Sequence, residues 1–166
     1  MLRRHSSAIL PAVVAVRRHV ATETGDRRVD LQEDDRSTLT AYGQRLIDEM
    51  RAMGVEVRHA LDVDEQQYMK RMNVRGITRF DPPEVVLRND ANDAVVYEEH
   101  LHILAGQARG WTNVGFPDSV VEEAWVGQQV LDHANELGMT NIERVEQKMT
   151  VQGYLPALHN MGVDLE

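Results

Sequence analysis

Residues 95–110, VVYEEHLHILAGQARG, would be apolar around most of their circumference as a helix, and this limits the chain to folds that enclose them. Each helical residue advances by about 100°, so Val96, Tyr97, Leu101, Ile103, Leu104, Ala105 and Ala108 cover most of the cylinder. His100 and Gln107 occupy a narrow strip. Glu98 and His102 are four residues apart and stack on the remaining side, with Glu99 beside them and Val95, Gly106 and Arg109 nearby. A helix of this kind is expected to be mostly buried. A chain of 166 residues can supply the cover, because a single domain of that size removes about two-thirds of its unfolded surface from water.

The sequence on either side predicts what covers it. From Ser37, the residues Leu39, Tyr42, Leu46, Met50 and Met53 recur at helical spacing, and Gly54 is placed as a C-terminal stop. VEVRHA at 55–60 alternates like a short strand. DVDEQQYMKRMNVRG then predicts a helix entered through an aspartate cap and left at Gly76, followed by ITRF as a strand or extended connection. PPEVVLRND at 82–90 is the clearest strand: its prolines exclude a helix at the start, and Val85, Val86 and Leu87 form a run suited to a buried sheet.

After the central helix and the loop WTNVGFP, Pro117, Asp118 and Ser119 open a further helix. It keeps Val120, Gly127, Val130, Ala134 and Leu137 on one stripe as far as Gly138. Thr140 and Glu143 form a capping box for a last helix through Gln152. Helices with a small sheet between them make a helix-rich α+β domain over 37–166. Residues 1–36 are expected to be an N-terminal helix and a solvated linker, from a larger protein if the chain is an excised piece. The opening MLRRHSSAILPAVVAVRRHV has the basic start and apolar run of a signal peptide, but the run is short, contains Pro11 and meets Arg17 and Arg18 at once.

A formal charge of -9 argues against a nucleic-acid surface covering the molecule, because phosphate contact needs clustered Lys and Arg. The apolar run near the start is too short to span a bilayer, so no membrane partner is expected. With no cysteine, thiol nucleophiles and thiolate ligands are excluded, and any metal must be held by His, carboxylate and water. There is no Gly-rich phosphate loop, no G-x-S-x-G element and no deaminase signature.

Two carboxylates and an imidazole on a mostly buried helix need a neutralising partner, since an isolated buried charge loses several kcal/mol of hydration. A divalent cation is one. Glu98 and His102 offer ligands one helical turn apart, and Glu99 between them is placed to hold and deprotonate a water. On the next helix Glu123 falls on the apolar stripe, whereas Glu122 points with Val126, Gln129 and His133, so Glu123 is the expected third ligand.

These elements carry a resemblance. PEVVLR at 83–88, EEHLH at 98–102, Gly110 and EAWV at 123–126 follow one another as they do in the zincin-like metallopeptidase toxin domains of bacterial polymorphic toxins. That family shows a strand of this type, an H-E-x-x-H helix, a glycine and a downstream E-x-x-V helix. The resemblance covers about Gly54 to Tyr154 and implies His102 and Glu123 as ligands and Glu99 as catalytic base. It also implies a protein or peptide substrate, a cognate immunity protein, and delivery within a larger secreted toxin that acts in the cytoplasm of the target cell.

The departure is Glu98, where the family has His. A Glu98/His102/Glu123 set is harder and more anionic than a two-His set, which keeps zinc as the first choice and admits manganese or iron. The alternative is a non-catalytic zincin-like binding protein with a degenerate site. Plainer still, Glu98 and His102 would be an ordinary i,i+4 pair, with Arg109 on the same side as the partner of Glu98 or a neighbouring acid. If Glu98 and Glu123 were distant in space, a helical interaction module would be favoured.

Overall fold

The computed structural model describes residues 39–163, so the helix and linker expected over 1–36 lie outside the described residues. The elements run α1 (Ala41–Ala52), β1 (Glu56–His59), α2 (Val63–Arg71), β2 (Gly76–Phe80), β3 (Pro83–Leu87), α3 (Asp93–Ala108), α4 (Asp118–Asp132) and α5 (Asn141–Met161). The fold is a helix-rich α+β arrangement around one three-stranded mixed sheet.

The sheet order is β1-β3-β2. The central strand β3 runs parallel to β1, with Val57 opposite Val85, and antiparallel to β2, with Thr78 opposite Val85 and Ile77 opposite Val86. Successive side chains on a strand face opposite ways. Val85 and Leu87 therefore join Leu46, Ile47 and Met50 of α1 and Val95, Val96 and Ile103 of α3 in the main core. Val86 turns to the other face, where it packs with Ala60 and Met69 under α2. Burial on both faces explains the unbroken apolar run in β3.

Helix α3 is the hub of the domain. It packs against α1, α4 and the sheet, and Glu99, His100, Leu101 and Ile103 are all buried along it. Asn92 caps its start, its side chain accepting from the Val95 amide. Its first residue, Asp93, accepts from both the amide and the hydroxyl of Thr40, tying the N-terminus of α1 to that of α3. At the far end Gly110 and Trp111 both adopt left-handed backbone, and the Trp111 amide returns to the Gly106 carbonyl at 2.8 Å. Helix α4 then crosses between α3 and the long α5.

Three expected boundaries move. Helix α1 begins at Ala41 with Thr40 as its cap, a few residues after the point near Ser37 where the sequence predicts that organised structure resumes. Helix α2 ends at Arg71 because Asn73, with φ 52°, takes the left-handed turn that Asn tolerates better than most residues, leaving Gly76 to open β2. Helix α5 does not stop at Gln152 but continues through Gly153 and Pro156 to Met161. Val151 and Leu158 are buried along it, and tertiary packing of a helix outweighs local breakers when an apolar face is covered.

Candidate metal centre

α3 and α4 together build the site. Glu98, His102 and Glu123 each offer a ligand atom, and these atoms all lie within 4.8 Å of one another. The i,i+4 geometry of α3 supplies the first two, and the packing of α4 across α3 brings the third. Ligand atoms around one zinc ion sit about 3–4 Å apart, given bonds of about 2 Å, so small rotations of the two carboxylates close the group into one coordination shell. The three residues can therefore hold a metal ion.

His102 is oriented for that role. Its Nδ1 donates to Oε1 of Glu122 at 2.9 Å, leaving Nε2 to face Oε1 of Glu123 at 3.9 Å. The imidazole is almost fully enclosed, and burial opposes its charge. The Glu122 hydrogen bond and the fields of Glu99, Glu123 and Glu98 outweigh that penalty and push its pKa up to about 9. In the metal-free protein the cluster therefore supplies its own cation, a proton on His102.

Glu99 is the deeply buried carboxylate of the group. Its Oε2 accepts from the Thr78 hydroxyl at 2.6 Å, and its other oxygen lies over Gly76 so closely that a Cβ there would meet it at 2.4 Å. Burial raises its pKa to about 7, with Glu98 and Glu123 adding to the rise while His102 and Thr78 oppose it.

Glu122 does not point away from α3, as its place off the apolar stripe had suggested. Helix α4 is covered on two sides: Gly127 faces Val151 of α5, while Glu122 meets α3 through His102. Both of the adjacent glutamates therefore reach the imidazole, one at each nitrogen. Arg109, the C-cap of α3, donates from NH1 to Oε2 of Glu122. It is thus the partner of a neighbouring acid, and its guanidinium also lies 5.5 Å above the Phe80 ring. Burial and hydrogen bonding set against each other leave the Glu122 carboxyl below its ordinary pKa, held there by His102 and Arg109.

Glu122 does carry a sequence signal. It lies within a helical turn of Glu123 on a helix whose two sides both carry apolar residues, Val126 on one and Gly127 on the other. His100, by contrast, faces away from the cluster toward Glu49 of α1 at 3.5 Å, as helical geometry requires. Trp111 packs against the main core, whereas Trp125 is exposed on α4. Compared with family models, curated proteins and solved structures, the chain matches none.

Proposed function

We propose that this domain is a metal-dependent hydrolase of the zincin-like metallopeptidase type, related to the toxin domains of bacterial polymorphic toxins, in which Glu98 stands for the first histidine. The convergence of Glu98, His102 and Glu123 beside the buried Glu99 carries the reading. An ion held by those three residues supplies a Lewis acid that polarises a scissile carbonyl and makes water more acidic. Zinc is the first candidate and manganese or iron follow, because a Glu/His/Glu set is harder than one built on two imidazoles.

The chain's own contribution is proton handling and orientation. Glu99, with its pKa raised to about 7 by burial, is suited to take a proton from the attacking water and return it to the leaving amine. Thr78 and Gly76 hold its carboxylate in place. A peptide is the favoured substrate because β2, which carries both residues, is an edge strand beside α3, and a sheet edge can accept an extended chain. In this reading the partners are a protein substrate and an immunity protein, and the place of action is the cytoplasm of a target cell after delivery within a larger toxin.

The carboxylates around His102, which raise its pKa to about 9, favour a second reading. Because His102 can balance the carboxylates without metal, the scaffold also suits a non-catalytic binding protein with a degenerate site. Metal analysis of the purified chain beside Glu99→Gln and His102→Ala separates the two. The hydrolase reading expects metal in wild type and Glu99→Gln, loss in His102→Ala, and growth arrest on expression that Glu99→Gln relieves. Equal metal in wild type and His102→Ala would remove the site, and metal without any growth effect would leave the binding protein.

A further inference from the structure

Glu122 and Glu123 are neighbours with the same side chain, yet α4 presents them about 100° apart, and each meets a different nitrogen of His102. A neutral imidazole carries one N–H and one lone pair, and the hydrogen bond made by one nitrogen decides which form is present. Glu122 can only accept when ionised, so its 2.9 Å contact keeps a proton on Nδ1, and in the neutral imidazole that a metal requires the lone pair is left to Nε2. That nitrogen is the one turned toward Glu123.

Glu122 is itself clamped at both oxygens. Oε1 receives His102 on α3 and Oε2 receives Arg109, the residue that caps the C-terminus of α3 seven positions later and so on the same side. The guanidinium cancels a charge that would otherwise add a third anion beside Glu98 and Glu123. It also occupies the oxygen with which Glu122 could compete as a ligand. Arg109 is seated by the Phe80 ring, and its NH2 group is buried with no hydrogen-bond partner, so Glu122 is its main anchor.

We infer that Glu122, clamped by Arg109, is a positioning residue that holds His102 as the Nδ1–H tautomer with Nε2 directed between Glu98 and Glu123. The inference rests on the reading of those three residues as a metal site. It assigns the paired glutamates of α4 separate tasks, one toward the ion and one behind the imidazole. Outer-shell carboxylates of this kind typically change metal affinity by about 10–100-fold when removed.

The test is Zn²⁺ affinity, by competition with a chromophoric chelator, on the full chain and its Glu122→Ala, Glu122→Gln, Arg109→Met and Glu123→Ala variants. Imidazole 15N shifts of the Zn²⁺-loaded proteins and the visible spectrum of the Co²⁺-loaded ones are read alongside. Affinity is expected to fall about 10–100-fold in Glu122→Ala and less in Glu122→Gln, whose amide oxygen still accepts from Nδ1. Glu122→Ala should lose the protected Nδ1–H signal and keep the Co²⁺ coordination number. Should Glu122→Ala fail to fold, Arg109→Met carries the test, with the same direction and a smaller loss. Unchanged affinity and tautomer in Glu122→Ala or Arg109→Met would overturn the positioning role while leaving the metal site intact. A Co²⁺ spectrum showing a lost ligand in Glu122→Ala would also overturn it, by making Glu122 a ligand. No Zn²⁺ binding in wild type would instead sink the metal reading on which the inference stands.

Discussion

The carboxylate of Glu99 lies directly over Gly76, where an added Cβ would sit 2.4 Å from Oε1 and 2.6 Å from Cγ. The backbone at Gly76 is not left-handed, so a side chain there is opposed by the contact alone. Glu99 is buried and cannot swing into solvent. Gly76→Ala is therefore expected to cost about 1–3 kcal/mol, as overpacking of a buried site does. Urea unfolding measures it, and a midpoint equal to wild type would show that the carboxylate moves aside freely.

Thr78 supplies the donor that Glu99 keeps in the interior, at 2.6 Å. Thr78→Val preserves shape and removes the hydroxyl, which should destabilise the fold by about 1–3 kcal/mol because a buried acceptor loses its partner. In a double-mutant cycle with Glu99→Gln the two changes should couple by about 0.5–3 kcal/mol. Additive losses would mean that the hydroxyl and the carboxylate do not depend on each other.

Gly127 lets α4 approach α5, since a Cβ there would meet Cγ2 of Val151 at 2.8 Å. Alanine is favoured over glycine inside a helix by about 0.5–1 kcal/mol, yet Gly127→Ala is expected to lower stability because the clash is with a buried residue of the facing helix. Pushing α4 outward also shifts Glu122 and Glu123, so Zn²⁺ affinity should fall with the melting temperature. A more stable protein with unchanged affinity would contradict the close packing.

Arg58 joins β1 to α2 and β3, bonding Glu65 through two nitrogens at 2.9 and 3.0 Å and Glu84 at 2.8 Å. The Arg58 hydrogen bond holds the Glu65 carboxyl below its ordinary pKa, helped by the Leu61 amide. A lowered folded-state pKa means that this stabilisation is fully present above the unfolded value of about 4.3 and is lost as pH falls through the lower folded value. Melting temperature should drop across that acid range. Glu65→Gln, already weakened at pH 7, should lose less of its own stability on acidification, and a parallel decline in both proteins would contradict the linkage.

Much of this architecture is local and was legible. The Thr140–Glu143 capping box is present in full, and the Asp62 side chain accepts from the Glu65 amide, because caps depend on residues three apart. The buried strand β3 follows from its prolines and apolar run. Less was visible where an element's end is decided by distant contacts. Pro156 would end an isolated helix, since it lacks an N–H and crowds the carbonyl four residues back, yet α5 runs on with Val151 and Leu158 buried along it.

The same division holds at the candidate metal centre. The sequence by itself determined that Glu98 and His102 stack on one side of α3 and that His100 cannot join them, because helical geometry depends only on separation along the chain. It also singled out Glu123 from the stripe on α4. Only the tertiary structure decided that Glu122 binds the far side of the imidazole, that Arg109 clamps it, and that Gly76 and Thr78 seat Glu99. Those contacts join residues 13 to 23 positions apart in the chain. Their distances are set by how helices and strands pack around a shared core, which no single element's periodicity contains.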